Sequence, residues 1–151
     1  MTFFCDLFVL LSAPPQNIPA SELTALSTLY NATDGPNWKW RNVSHGIPWL
    51  FDANANPCRD NWQGIGCPPV PPFNVLTITL EDLELKGTLP DSIGDFSKIQ
   101  SLHVTHNRHL NGTIPGSVGN MPELHSLDLS RNSLTGTIPH TVSNLTLINT
   151  L

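Results

Sequence analysis

A segment of about 25 residues recurs three times between Val75 and Leu145, and this recurrence restricts the possible folds more than any other feature. Residues Ile99–Asn107 correspond to Leu124–Asn132, 25 residues later, and Val75 begins the same pattern 24 residues before Ile99. The second half of every copy carries a Leu-x-Gly-Thr-Leu/Ile-Pro pattern, at Leu85–Pro90, Leu110–Pro115 and Leu134–Pro139. Self-similarity with a period of roughly 20–29 residues indicates a chain that is built from stacked repeats.

The first half of each copy predicts a short strand. Leu102 and Val104 alternate with polar residues, and this period of two is typical of a strand with one buried face. The ninth position holds Asn107 and Asn132 in the second and third copies, where the amides can bond to neighbouring backbone groups. Leu83 occupies that position in the first copy, so a ladder of asparagines is expected from the second copy onward. The pattern predicts an α/β leucine-rich-repeat solenoid with parallel strands on a concave face.

The segment before the repeats predicts a helix and a local aromatic core. Ser21 is the candidate N-cap, and the helix should end at Asp34–Pro36. One helical face is predicted to carry Leu23, Leu26, Leu29 and Tyr30. Four tryptophans then follow within a short span, at Trp38, Trp40, Trp49 and Trp62. A core role is favoured for them over a ligand platform.

The pattern divides the chain into several segments, and the first of them is an apolar stretch. Residues 1–13 are interpreted as a truncated secretory signal, and the alternative is a loosely packed N-terminus. The remaining segments are a linker at 14–20, an N-terminal cap at 21–74, repeats at 75–98, 99–123 and 124–147, and the start of a fourth repeat at 148–151. Because the sequence ends within that repeat, we expect a fragment of a longer protein. The alternative is a short natural protein that pairs through its open edge.

Two of the three cysteines, Cys58 and Cys67, stand close together around Trp62. A disulfide between them would close a short loop and tie the cap to the first repeat. The alternative is two free thiols, whereas zinc is disfavoured because no second Cys/His pair stands at ligand spacing. The third cysteine, Cys5, would be lost with residues 1–13, which fits an oxidising destination.

Composition and motifs argue against several functions. The net charge is −5, with 13% charged residues, so the basic patch that a nucleic-acid-binding protein needs is not expected. The sequence contains no phosphate loop, dinucleotide-binding glycine turn or His-Glu-x-x-His motif, and no stretch long and apolar enough to span a membrane. His103 and Asp128 lack a suitably placed nucleophile, because Ser101 and Ser126 are ordinary residues of the repeat frame. We therefore expect no enzyme activity, no cofactor and no metal site.

Four sequons predict N-glycosylation at Asn31, Asn42, Asn111 and Asn144. Each tripeptide is a weak signal by itself. Together with the signal-like segment and the cysteine pair, they favour a secreted glycoprotein. Asn111 and Asn144 are expected at turns or on the convex side, where a glycan would leave the concave face open.

The repeat frame also predicts which side chains line the concave face. The central strand column contains Thr79, His103 and Asp128, and the positions after the strands complete a ligand-binding set. The predicted set is Thr79, Glu81, Asp82, His103, Thr105, His106, Asp128, Ser130 and Arg131. Since rungs lie about 4.8 Å apart, His103 should face Asp128, and His106 should lie between Asp82 and Arg131. We hypothesise that the histidines make binding depend on pH; the alternative is a solvated face without a partner.

These motifs resemble those of plant-type extracellular leucine-rich-repeat proteins. The resemblance rests on Glu22–Trp38, on the Cys58–Cys67 block around Trp62 and on the Leu-x-Gly-x-Ile-Pro segments. It implies that each such segment adds a second short strand and that the cap shields the first repeat's core. Pro68–Pro72 departs from the pattern and leaves the geometry of the first strand open.

The resemblance also implies a function. Similar modules occur in receptor-like kinases, receptor-like proteins and secreted inhibitors of wall-degrading enzymes. It implies recognition of a protein, peptide or glycan on the extracellular side of the plasma membrane or in the secreted state, with a co-receptor as a further partner. The alternatives are a soluble secreted binding or inhibitor protein and a structural or adhesive surface protein. A kinase domain is absent from this sequence and could lie downstream.

Overall fold

The computed structural model describes residues 17–151, so the predicted signal segment at 1–13 and the first part of the linker, at 14–16, lie outside the described residues. One α-helix, α1 (Ala20–Ala32), precedes six short strands. The strands are β1 (Ile65–Gly66), β2 (Thr77–Glu81), β3 (Lys86–Thr88), β4 (Ser101–Thr105), β5 (His109–Asn111) and β6 (Ser126–Asp128). Short 3-10 helices cover Gly35–Asn37, Val43–His45, Asp91–Asp95, Gly116–Asn120 and His140–Asn144. In this part of the chain, no helix is long and apolar enough to cross a bilayer.

The first sheet aligns the copies of the repeat side by side. Its strand order is β1-β2-β4-β6, in which β2, β4 and β6 are parallel and β1 is antiparallel to β2. Ile78 pairs with Leu102, which pairs with Leu127. A further bridge joins Ser126 to Thr150 and so extends the pairing into residues after the third copy. The predicted alignment of the copies is therefore confirmed across this sheet.

A second, smaller sheet forms from the later half of the copies. Strands β3 and β5 are parallel, with Gly87 opposite Leu110, and a single bridge joins Thr113 to Thr135. The second short strand that the resemblance implied is thus present in the first two copies, while the third contributes one bridge. Gly87, at the centre of β3, has a positive φ of 124°, which allows the chain to bend there.

The core lies between the two sheets and the short helices. Ile78, Leu80, Leu102 and Val104 are fully buried, as the alternation in the strands predicts. Phe96, Val118 and other apolar residues of the connecting segments fill the remaining space. In the third copy, Leu129 is only half-buried.

Buried asparagine side chains bind the turns of successive copies. The Oδ1 atom of Asn107 accepts hydrogen bonds from the backbone N–H groups of Leu83 and Leu85, at 3.1 and 3.2 Å. Its own backbone N–H donates to Oδ1 of Asn132, at 2.9 Å. The ladder of asparagines is therefore confirmed, and it reaches back to the first copy through the backbone around Leu83.

The predicted N-cap of the helix is wrong. Helix α1 begins at Ala20 with Pro19 as its N-cap, and no side chain caps it. The ring of Pro19 fixes its φ at −53°, close to a helical value, and its carbonyl accepts the hydrogen bond from Leu23 N–H at 3.1 Å. The predicted apolar face also shifts: Leu26 and Leu29 are buried, but Leu23 and Tyr30 are only half-buried.

Glu22, and not Leu23, lies on the buried face of α1. Its side chain is 1% exposed, and its carboxylate accepts hydrogen bonds from Asn74 Nδ2 at 2.9 Å and from Val75 N–H at 2.8 Å. The charged group therefore holds the helix against the segment that leads into β2. Sequence patterning does not predict this contact, because a glutamate in the first turn of a helix usually faces water.

We expect Glu22→Ala to lower the free energy of unfolding by about 2 kcal/mol, because it leaves the buried N–H of Val75 without an acceptor. Urea unfolding monitored by tryptophan fluorescence measures this loss. Glu22→Gln is the matched control, since its amide oxygen can still accept one of the two hydrogen bonds. Equal losses for the two variants would contradict the role assigned to the carboxylate.

An aromatic cluster and a disulfide stabilise the segment between α1 and β2. Trp38, Trp49 and Trp62 are buried, and Trp49 stacks on Trp62 with ring centroids 5.8 Å apart. The core role predicted for the tryptophans is confirmed, although Trp40 is only partly buried. Cys58 and Cys67 form a disulfide, with 5.6 Å between their Cα atoms, which excludes the alternative of free thiols.

Candidate ligand-binding face

The face of the first sheet that points away from the core is polar. It carries Thr77, Thr79, Ser101, His103, Ser126 and Asp128, which we call the outer face. These residues alternate with the buried apolar side chains, so the strand geometry directs them outward. Thr79, His103 and Asp128 stand opposite one another across β2, β4 and β6. The structure thus brings together the central column that the sequence predicts.

The imidazole of His103 contacts two hydroxyl groups of the outer face. Its Nε2 atom lies 2.8 Å from Ser126 Oγ and 3.1 Å from Ser101 Oγ. The contact with Ser126 crosses from β4 to β6, and the contact with Ser101 lies within β4; together they fix the ring in the middle of the face. His103 stands opposite Asp128 in the strand register, as expected, while its hydrogen bonds go to the two serines.

The residues that follow the strands form a second column at the edge of the sheet: Asp82 and His106 come directly after β2 and β4, and Arg131 comes three residues after the end of β6. Asp82, His106 and Arg131 all have positive φ values, of 54°, 60° and 58°. Asp82 N–H donates to the carbonyl of Thr105, so the two turns are stacked. His106 follows Asp82 in this stack, but its nearest acidic partner is Glu81, with 3.6 Å between Nδ1 and Oε1.

Two residues of the predicted set differ sharply in accessibility. Thr105 is buried, with 7% of its surface exposed, whereas Ser130 is exposed. The carbonyl of Thr105 accepts hydrogen bonds from Asn107 Nδ2 at 2.8 Å and from Asp82 N–H at 3.1 Å. Thr105 therefore offers little surface to a ligand, contrary to the expectation from its position in the repeat.

Hydrogen bonds from Ser130 lower the pKa of Asp128 below its usual value of 3.8. The backbone N–H of Ser130 donates to Asp128 Oδ1 at 2.9 Å, and the positive potential of His103 and His106 acts in the same direction. Partial burial opposes these effects. Asp128 is thus held ionised at neutral pH at the end of the His103 column.

This pKa shift predicts a pH-dependent contribution to stability. Because the folded pKa of Asp128 lies below the unfolded one, the contribution is fully present above about pH 4 and disappears as the pH falls through the folded pKa. The difference in free energy of unfolding between the wild type and Asp128→Asn should therefore shrink when the pH is lowered from 6 to 2. Urea unfolding at several pH values measures it, and a difference that stays constant would contradict the assignment.

Sequence reasoning missed two cations that border the outer face. Arg41 Nη2 donates to the carbonyl of Glu81 at 2.9 Å and lies 3.6 Å from its carboxylate. Lys39 Nζ lies 3.4 Å from Glu84 Oε1. Both come from the loop between α1 and β1, so the path of an irregular segment decides these contacts. No periodic signal in the sequence could have revealed them.

The predicted glycosylation sites are all exposed. Asn31 lies near the end of α1, Asn42 precedes the 3-10 helix Val43–His45, Asn111 ends β5 and Asn144 ends the 3-10 helix His140–Asn144. None of them lies on the outer face of the first sheet. Residues 17–151 contain no cluster of three His, Cys, Asp or Glu side chains that could hold a metal ion.

Comparison with known protein families places the repeats in a known class. Residues 97–151 match the family model described as Leucine rich repeat. The curated protein STRUBBELIG-RECEPTOR FAMILY 3 from Arabidopsis thaliana is 30% identical over 103 residues, which cover 68% of this chain and 12% of that protein. The chain therefore spans only a small part of this relative's length.

Solved structures show the same fold. The crystal structure of the BIR3–SERK2 complex from Arabidopsis thaliana contains a chain that is 27% identical, with a TM-score of 0.70. The match covers 85% of this chain and 65% of that one. The crystal structure of PEPR1–AtPEP1 matches at 31% identity with a TM-score of 0.67, covering 87% of this chain and 17% of the other. The crystal structure of the BIR2 ectodomain from Arabidopsis thaliana also matches, at 29% identity with a TM-score of 0.70, covering 88% of this chain and 65% of that one.

Proposed function

We propose that this chain, which resembles plant-type extracellular leucine-rich-repeat proteins, is a ligand-recognition module of a cell-surface receptor. The observation that carries the proposal is the in-register column of Thr79, His103 and Asp128 on the outer face. Three successive strands fix these polar side chains on one rigid sheet. A ligand that binds there meets groups that are already ordered, which reduces the entropic cost of binding.

The proposed architecture is a solenoid whose concave side is the outer face and whose N-terminal cap spans residues 21–74. Parallel pairing of β2, β4 and β6 supports the solenoid, and the contact of Glu22 with Val75 supports the cap. We propose repeat boundaries at 75–98, 99–123 and 124–147, with a fourth repeat that starts at residue 148. The bridge from Ser126 to Thr150 supports the fourth repeat.

The proposed ligand is a peptide or an extended segment of a protein, and a co-receptor is a further proposed partner. The similarity to the chains in the PEPR1–AtPEP1 and BIR3–SERK2 structures supports assembly with such partners. An extracellular location is proposed from this similarity, from the disulfide and from the exposed sequons at Asn111 and Asn144. Glycans at these two asparagines would lie outside the outer face.

The test blocks the outer face with a glycan. Peptides are first selected on the folded chain from a random display library. The double substitution Thr79→Asn and Glu81→Thr then creates a sequon in the middle of β2. We expect the attached glycan to weaken binding of the selected peptides at least tenfold, because it covers the His103 column.

A second glycan provides the matched control. Asp95→Asn creates a sequon with Ser97 at the end of the 3-10 helix Asp91–Asp95, outside the first sheet. This variant should bind the selected peptides as the wild type does. Equal loss in both variants, or none in the Thr79 variant, would refute binding on the outer face.

The two histidines of the outer face and its edge should make binding depend on pH. Imidazole is the side chain whose charge responds to physiological pH; His106 lies beside Glu81, and His103 lies beside the serine hydroxyls. An acidic peptide should therefore bind more tightly at pH 5 than at pH 7. Binding measured calorimetrically at both pH values should lose this difference in a variant with His103→Gln and His106→Gln. An unchanged pH dependence in the variant would dispose of the idea.

A further inference from the structure

Two successive turns at the edge of the first sheet carry opposite charges. In the first turn, Asp82 and Glu84 flank the buried Leu83. In the second turn, His106 and Arg108 flank the buried Asn107 in the same way. Because Leu83 N–H binds the Asn107 side chain, the two turns are stacked and their exposed side chains point outward on the same side. The edge of the sheet is therefore acidic at one rung and basic at the next.

The four flanking residues border an open cleft of about 260 Å³, together with His109. We call it the polar cleft. Its lining consists of Asp82, Glu84, His106, Arg108 and His109, with the acidic side chains from the first copy and the basic ones from the second. The two sides of the polar cleft therefore differ in the sign of the charges that they carry.

Part of this charge remains available to a ligand. Glu84 is paired with Lys39, and His106 lies near Glu81. Among residues 17–151, none of the ion pairs includes Asp82 or Arg108. Each of these two side chains can therefore form a new charged contact without breaking an existing one.

We propose that the polar cleft binds one extended peptide segment that carries a basic and an acidic side chain two residues apart. The basic side chain contacts Asp82, and the acidic side chain contacts Arg108. Side chains two residues apart in an extended chain lie on the same side, about 6.7 Å from each other. Asp82 and Arg108 lie on neighbouring rungs, about 4.8 Å apart along the stack, and are also offset by two residues along the turn, so a peptide with this spacing can place its two long side chains diagonally across the cleft. The proposal rests on the proposed function and specifies its ligand.

An anion alone is a poorer occupant of the polar cleft. It would interact favourably with Arg108 and the histidines, but Asp82 and Glu84 would repel it from the other wall. A cation alone meets the converse problem. A ligand with both charges satisfies both walls, which is the physical basis for the expected selectivity.

The test uses four capped pentapeptides, so that terminal charges do not contribute. The first has Lys at position two and Glu at position four, in a background of glycine and serine. The others replace the Lys, the Glu or both by Gln. They are titrated at low salt into the ¹⁵N-labelled chain, and the amide signals of Glu84 and Arg108 are followed. The peptide with both charges should bind about five times more tightly than either singly charged peptide.

Variants of the chain identify which wall recognises which charge. In Asp82→Asn, the peptide Lys should no longer increase the affinity, whereas the peptide Glu still should. In Arg108→Gln, the peptide Glu should no longer increase the affinity, whereas the peptide Lys still should. Lys98→Gln, which changes an exposed charge paired with Glu123 instead, should alter neither. The proposal is overturned if the Glu-only peptide binds as tightly as the doubly charged one, or if Asp82→Asn weakens both contributions equally.

The same titration separates this inference from the proposed function. If the signals of Thr79 and His103 respond to the peptides while those of Glu84 and Arg108 do not, the polar cleft is refuted and the outer face remains a binding surface. If neither group of signals responds, the polar cleft is refuted and the glycan experiment decides about the outer face.

Discussion

Asn107→Ala should destabilise the chain more than any other single side-chain truncation in the turns. The Asn107 amide is fully buried and serves four backbone groups: the N–H groups of Leu83 and Leu85 and the carbonyls of Leu80 and Thr105. Alanine leaves all four without this partner in a place that water does not reach. Since each unsatisfied buried group costs roughly 1–3 kcal/mol and the costs are not fully additive, we expect a loss of about 4 kcal/mol.

Urea unfolding monitored by tryptophan fluorescence measures this loss. Asn132→Ala provides a graded comparison, because Asn132 makes similar bonds to Val104 and Leu129 but is only partly buried. Its loss should be smaller, since water can reach some of the freed groups. Asn149→Ala, at an exposed position, should change the free energy of unfolding by less than about 0.5 kcal/mol. A loss at Asn107 no larger than that at Asn149 would contradict the role of the ladder.

Gly87→Ala should have an effect of similar size for a different reason. The φ of Gly87 is +124°, in a region that side-chain-bearing residues rarely adopt. A Cβ atom at this position would also overlap the carbonyl oxygen of Ala32 at the end of α1. Backbone strain and the overlap each cost about 1–3 kcal/mol, so the expected loss of unfolding free energy is about 4 kcal/mol.

Gly116→Ala is the matched control for this substitution. Gly116 is exposed, and a Cβ there would lie no closer than 3.8 Å to the nearest atom, Thr141 Oγ1. Its replacement should change the free energy of unfolding by about 0.5 kcal/mol or less. If both glycine variants unfolded at the same urea concentration as the wild type, the close contact between β3 and α1 would be disproved.

The register of the first sheet could be predicted because two independent signals agree. Alternation assigns Ile78, Leu102 and Leu127 to the core, and the repeat period aligns them with one another. A slip by one residue would expose this whole apolar row, so the sequence strongly specifies the pairing. The same argument correctly placed Thr79, His103 and Asp128 together on the opposite face.

Contacts outside the repeats could not be predicted from periodicity. The burial of Glu22 depends on where the segment before β2 passes, and the approach of Arg41 to Glu81 depends on an irregular loop. In both cases a non-repetitive part of the chain determines the environment of a polar side chain, and a sequence pattern contains no information about its path. Thr105 occupies an outward position in the strand pattern but is buried.

Nuclear Overhauser contacts across the first sheet test the central claim most directly, because the binding face exists only if the copies pair in this register. In the labelled chain, backbone protons at Ile78 should show cross-strand contacts to those at Leu102, and Leu102 to Leu127. Contacts between Ile78 and His103 would instead indicate a register shifted by one residue, in which the polar columns would point toward the core. That result, or the absence of any contact between these strands, would contradict the account.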